Sequence, residues 1–305
     1  MKPPIPIDAE KISERIFYNA RKLIEYNYWD GIKIFELLSW INNFKTEEEK
    51  YFASSILLSI IYRNRNAIRT FGAQLFQITI PNYLEDKNIL SIKCLDSWLD
   101  EINSPDARSL FPFRFSTIEG VDNKPAKSGA GILRALKREF FDNSLSIGYQ
   151  SYDKLKNNSS VNTIILLDDI LGTGEQFDDF IKITKLNELG LNILYCPFAA
   201  NTEGLDRIRD TYDKIDVLPV EILEKRNGLF SEENKLFHLE DICRAEEFKI
   251  FYHSMCKDRD FKIDENEFLG KGNLALTYLF NDSTPNNNIA ALWYGDKNWK
   301  RLVKR

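Results

Sequence analysis

Four short runs in this 305-residue chain constrain its fold more than any other feature: FRFSTIEG (113–120), TIILLDD (163–169), LNILYCPFAA (191–200) and KIDVLPVEIL (214–223). Each has the length and the β-branched or aromatic content of a strand. Three of them lack the apolar–polar alternation of a half-solvated strand, which predicts a sheet covered on both faces. Helical stretches at Gly131–Phe141, Glu175–Leu189 and about Glu203–Tyr212 separate them. Strand–helix alternation of this kind predicts right-handed βαβ crossovers and a mostly parallel sheet. The expected fold class is therefore α/β and Rossmann-like.

The region before these runs reads differently. Of fourteen glycines only Gly31 and Gly72 fall in the first 110 residues. Glycine-poor sequence with apolar residues at helical spacing predicts helices. Ile12, Ile16, Ala20 and Leu23 share one helical face, as do Ile34, Leu37, Leu38 and Ile41. Asp8 is placed to cap the first helix, and Thr46 with Glu49 forms a capping box before the apolar run Tyr51–Tyr62. Phe17, Tyr18, Tyr26, Tyr28 and Trp29 are expected in the core of this region. Arg63, Arg65 and Arg69 read as a solvated helix face, with a nucleic-acid ridge as the sharper alternative. The expected division is a helical domain over 1–105 and an α/β domain over 106–305, ending in a less regular hood.

Composition narrows the chemistry. With 41 basic and 46 acidic side chains the net charge is −5, so no chain-wide basic field attracts nucleic acid. Two histidines and four cysteines without a Cys-x-x-Cys pair leave little material for a metal cage or a disulfide scaffold. The Tyr51–Tyr62 run is too short and too rich in serine to cross a bilayer. A cytoplasmic protein with no membrane partner is expected.

The sharpest local signal is Val161–Gln176: an apolar strand, then Asp168 and Asp169, then Gly172-Thr173-Gly174 and the start of a helix at Glu175 and Gln176. A turn of small residues before a helix presents N–H groups and the positive end of the helix dipole to an anion. Adjacent carboxylates beside it suit ribose hydroxyls, or a Mg²⁺ shared with phosphates. No Gly-Lys-Ser/Thr follows, which excludes a Walker A loop. One βα unit upstream, Lys127-Ser128-Gly129-Ala130-Gly131 leads into another predicted helix.

ILLDDILGTGEQ resembles the phosphoribosyl-pyrophosphate (PRPP) loop of type I phosphoribosyltransferases. The resemblance implies that Asp168 and Asp169 contact the ribose hydroxyls, with Mg²⁺ bound through the substrate. It implies that Gly172, Thr173, Gly174, Glu175 and Gln176 cradle the 5′-phosphate. Lys127 to Gly131 would correspond to the pyrophosphate loop, and residues 146–160 to a lid carrying Lys154 and Lys156. Two departures stand out: Gln176 occupies a position usually held by Thr or Ser, and Glu175 adds negative charge beside an anion site. The helical amino-terminal region and Thr284-Pro285-Asn286-Asn287 before Trp293 further resemble phosphoribosyltransferase-like proteins of bacterial conflict systems, some encoded beside anti-phage retrons. There Asn286, Asn287 and Trp293 would meet a base or partner; the plain reading is a Pro-Asn turn over a core Trp. Two functions follow from the resemblance. One is an enzyme acting on PRPP or a nucleotide; the other is a non-catalytic module binding a nucleotide or nucleic-acid end, with a protein or ribonucleoprotein partner in a defence complex.

Overall fold

A computed structural model describes residues 2–118, 128–155 and 160–305. Helices α1 (Ala9–Glu25), α2 (Ile34–Ile41) and α3 (Glu47–Ser59) lead to strand β1 (Ile61–Arg63). Helices α4 (Arg65–Gln74), α5 (Ile80–Asp86), α6 (Leu95–Ile102) and α7 (Ala107–Leu110) follow, with a π-helical turn at Leu75–Thr79. Strands and helices then alternate: β2 (Phe113–Thr117), α8 (Ser128–Lys137), β3 (Thr163–Leu171), α9 (Glu175–Thr184), β4 (Asn192–Asn201), α10 (Thr202–Thr211), β5 (Ile215–Val217) and β6 (Glu221–Leu223). A hairpin, β7 (His238–Leu239) and β8 (Ile242–Cys243), precedes helix α11 (Ala245–Asp258), strand β9 (Tyr278–Phe280) and helix α12 (Ala290–Trp293).

The chain divides into two compact units, Ala67–Leu223 and Met1–Asn66 with Glu224–Arg305. The first is the α/β unit. Its strands run parallel in the order β2-β3-β4-β5, and β6 also pairs with β4. All but one residue of β3 is buried, which accounts for its unbroken apolar run. The stretch read as one strand, KIDVLPVEIL, is two. Leu218 and Val220 donate to Tyr195 and Pro197 of β4, while Pro219 between them has no N–H to continue the ladder. Phe76, Phe113, Phe115 and Phe141 are wholly buried here, and the Phe76 ring lies 5.3 Å from that of Phe115.

The other unit has an aromatic core of its own. Phe52 of α3 is wholly buried against Phe230, Phe237, Phe248 and Tyr252, with ring centroids 5.6–6.2 Å away. Full burial of such a ring contributes about 1.5–3 kcal/mol. Strand β1 pairs in parallel with β9, joining the two segments of chain that build this unit.

Three expectations change. The boundary near residue 105 is replaced by the division above, because Phe76 of the π-helical turn and Trp98 of α6 pack against Phe115 and Phe113 of β2 within the α/β unit, whereas the carboxyl-terminal segment supplies the rings around Phe52. The amino-terminal aromatics split: Trp29 is buried, but Tyr18, Tyr26 and Tyr28 are exposed, as are Leu23 and Leu38. Helix α1 buries its small residues instead, Ala9, Ser13 and Ala20, with Ser13 Oγ 3.4 Å from Ser54 Oγ of α3. Of the expected face, Ala20 is buried and Ile16 packs against the same core, whereas Leu23 falls outside it. The arginines are not one helix face either: Arg63 belongs to β1 with its guanidinium over Tyr278, and Arg69 pairs with Glu139. At the helix starts, the Thr46–Glu49 capping box forms, whereas Asp8 takes the N-cap position of α1 without a side-chain hydrogen bond.

Among the described residues, no helix is long and apolar enough to cross a membrane.

Candidate phosphoribosyl site

Strand β3 carries the acidic pair further into the sheet than expected. Its ladder with β4 runs on past Asp168, opposite Pro197, to Leu171, opposite Ala200. Asp168 and Asp169 are 4% and 3% exposed, so they lie within the last turns of pairing and not beyond the strand end.

Asp168 is held in place. Its Oδ2 accepts from the Tyr195 hydroxyl at 2.9 Å, and its Oδ1 accepts from the Asp169 N–H at 3.0 Å. Tyr195 stacks on Phe177 of α9, with centroids 4.8 Å apart. Burial, and then the charge of Asp169, raise the Asp168 carboxyl well above its ordinary value; the Tyr195 hydrogen bond opposes this. The Tyr195 hydroxyl is itself pushed up, first by burial and then by Asp168. Asp169 Oδ1 accepts from the Ile170 N–H at 3.0 Å.

The turn that follows is shaped by glycine. Gly174 adopts φ +83°, a left-handed conformation that disfavours other residues, and forms the N-cap of α9. It brings no side-chain oxygen to the first-turn N–H groups. Helix α10 presses on the same turn. A Cβ on Gly204 would sit 2.1 Å from the Gly172 carbonyl oxygen, a contact only glycine permits. The carboxylate of Glu175 is about half exposed and 4.0 Å from Arg207 of α10; Arg207 also pairs with buried Asp178 at 2.5 Å.

Other expected site residues fare differently. Helix α8 begins at Ser128, so Ser128, Gly129, Ala130 and Gly131 form its first turn and not a loop before it. Lys127 lies outside the described residues, as does Lys156. Much of the expected lid is tied down: residues Tyr149–Lys154 form a 3₁₀ helix, Tyr152 is buried, and its hydroxyl is 2.7 Å from Ser116 Oγ. Asn286, Asn287 and Trp293 belong to the other compact unit. There the Asn287 amide donates to the Lys271 carbonyl, Trp293 Nε1 donates to the Asn288 carbonyl, and Arg305 covers the Trp293 ring at 4.3 Å. Trp293 is half-buried against the core of that unit.

Sequence reasoning missed Tyr195, Gly204 and Arg207. Tyr195 had a faint signal, a hydroxyl inside an apolar strand. Gly204 had another, a glycine inside a helical pattern. Arg207 had none, because its position depends on how α10 packs.

A protein-family model extends the likeness of the Asp-Asp turn to nearly the whole chain, matching residues 37–305. The chain is thus a phosphoribosyltransferase-like α/β protein. It belongs to the PRTase-CE family. No curated protein matches it in sequence. Among solved structures, the AQ2163 protein from Aquifex aeolicus is similar at 12% identity and a TM-score of 0.31, over 57% of this chain and 84% of that one. A likeness at that score carries no weight for function.

Proposed function

We propose that the α/β unit binds a 5′-phosphorylated ribose, PRPP or a nucleotide, and transfers or cleaves at C1. The observation that carries this reading is the left-handed Gly174 turn, which starts α9 with no side-chain cap, three residues beyond a strand holding two buried acids. The turn seats the 5′-phosphate on backbone N–H groups of Gly172–Gln176. Asp169 accepts hydrogen bonds from the ribose hydroxyls, and Asp168, fixed by Tyr195, sets the strand geometry beneath it. The first turn of α8, Ser128–Gly131, offers N–H groups to the diphosphate. In transfer, the C1–O bond to diphosphate breaks, a bond to the incoming nucleophile forms, and the carboxylates stabilise positive charge developing at C1.

Magnesium fits this donor set only in part. Among the described residues, no three His, Cys, Asp or Glu side chains converge as a metal cage. Mg²⁺ nevertheless binds through one or two carboxylates plus substrate phosphates, a role Asp168 and Asp169 can fill. When bound it would neutralise the diphosphate as leaving group.

A second reading, binding without turnover, is favoured by the burial of Asp168 and its bond to Tyr195, together with Gln176 in place of a hydroxyl residue. One experiment separates the two: purified chain, Mg²⁺, and PRPP with bases or a nucleotide pool, followed by mass spectrometry. Turnover lost in Asp168→Asn/Asp169→Asn supports the enzyme. Saturable binding without product supports the module, and no binding of either ligand ends the phosphoribosyl reading. The wider proposal, an effector of anti-phage defence with a protein or ribonucleoprotein partner, rests on resemblance of layout. It fails if phage challenge of cells bearing the chain and its gene neighbours gives no protection.

A further inference from the structure

Glu175 sets a charge beside a turn built for anions, and the neighbouring crossover helix supplies a cation to meet it. The Cδ of Arg207 lies 3.2 Å from where a Cβ on Gly174 would stand, so its stem packs on the turn itself. Its Nη2 is 2.5 Å from Asp178 Oδ2 and its Nη1 is 4.0 Å from Glu175 Oε1. The two carboxylates hold the guanidinium unequally. The Asp178 side chain is 7% exposed and within hydrogen-bond distance, whereas that of Glu175 is 49% exposed and beyond it. A solvent-exposed pair at that separation contributes little, and breaking a buried one is costly. Asp178 is thus the anchor and Glu175 the replaceable partner. The guanidinium fork can hold one oxyanion on each edge, and the Arg207 side chain is 41% exposed, open to a ligand from solvent.

On the reading of Gly172–Gln176 as a phosphate seat, we propose that Arg207 is a further ligand of the anion bound there, and that the phosphate displaces Glu175 from its guanidinium. Backbone N–H groups hold any oxyanion of suitable size. Arg207 adds a full charge that favours a dianionic 5′-phosphate ester, so the site selects 5′-phosphorylated riboses over unphosphorylated nucleosides. Glu175 then acts as a stand-in anion that keeps the guanidinium oriented when no ligand is present.

The test is calorimetric titration of the full chain with ribose 5-phosphate and with PRPP at two salt concentrations. Arg207→Gln should weaken binding of both about 10- to 100-fold, the scale of one charge-assisted hydrogen-bonded contact, and flatten its salt dependence. Glu175→Gln, which removes the competitor, should tighten binding about 3- to 10-fold. Undiminished binding by Arg207→Gln, or unchanged or weaker binding by Glu175→Gln, overturns the proposal and leaves the phosphate seat standing. Failure of the unsubstituted chain to bind either ligand overturns both. Should Arg207→Gln not fold, since it leaves Asp178 buried and unpaired, the exposed Glu175→Gln variant decides.

Discussion

Two helix starts in this molecule meet one physical problem in opposite ways. At α3 the chain closes its own end: Thr46 Oγ1 accepts from the Glu49 N–H at 3.2 Å, and the Glu49 carboxylate accepts from the Thr46 N–H at 3.4 Å. At α9 the N-cap is Gly174, which has no side chain to return. The contrast extends to each surrounding unit. Around α3 and α12, polar groups find partners among their neighbours, as when the buried Tyr252 hydroxyl donates to the Phe268 carbonyl and accepts from the Ala291 N–H. Around α9, two carboxylates are buried at a cost, and the helix start has no side-chain cap. Closure serves stability, and on the proposed function the uncapped turn serves a phosphate.

The largest effect should come from breaking the closed side. Asn288 is wholly buried, and Asn288→Ala would strand the Tyr278 carbonyl that its amide now reaches, whereas the Pro285 carbonyl keeps the backbone N–H of residue 288. A loss of about 2 kcal/mol is expected from the cost of one unsatisfied buried group. Urea unfolding measures it. Ribose 5-phosphate affinity at 25 °C should be unchanged, and a parallel loss of affinity would contradict the assignment of this segment to scaffold.

Breaking the open side should do the reverse. Burial and the charge of Asp169 raise Asp168 above its ordinary value of 3.8. Between 3.8 and the raised value the folded chain keeps a proton that the unfolded chain has released. The stability from this group is therefore full at and below 3.8 and is lost as pH rises through the folded value. Asp168→Asn keeps an oxygen to accept from Tyr195 and removes the charge. It should stabilise the chain at neutral pH by about 1–2 kcal/mol, on the scale of relieved site strain, and flatten stability above pH 4. Thermal unfolding across pH 4–8 would sink the idea if the variant were less stable than the parent throughout.

Much of the open side was legible in the sequence, because each part is a local signal. The run Ile164–Leu167 announces a strand covered on both faces, and Gly172 and Gly174 announce the turn. The consequences of strand register were hidden. Tyr195 reaches Asp168 only because the parallel pairing sets Leu166 beside Tyr195, a relation between strands that neither strand encodes alone. Arg207 and Gly204 depend likewise on the packing of α10. The division into units was hidden for a plainer reason: the chain leaves one core at Asn66 and returns to it at Glu224, and glycine density reports helices, not which helices share a core. The exposed Tyr18, Tyr26 and Tyr28 show the same limit. Helical spacing gives the stripes of α1, and only its neighbour selects the stripe of Ala9, Ser13 and Ala20.

The smallest effect tests the closed cap against a nominal one. Thr46 and Asp8 both occupy N-cap positions, and both residue types are favoured there. Only Thr46 makes the side-chain bond; Asp8 has φ −100° and ψ 23°, outside the extended conformation in which a cap oxygen reaches the first-turn N–H groups. Thr46→Ala should therefore cost about 1 kcal/mol, and Asp8→Ala should stay within about 0.5 kcal/mol of the parent. Urea midpoints of the two variants, taken at equal slope, give the comparison directly. Equal losses would mean that residue type and not the hydrogen bond sets the cap energy, and the contrast with Gly174 would then lose its physical basis.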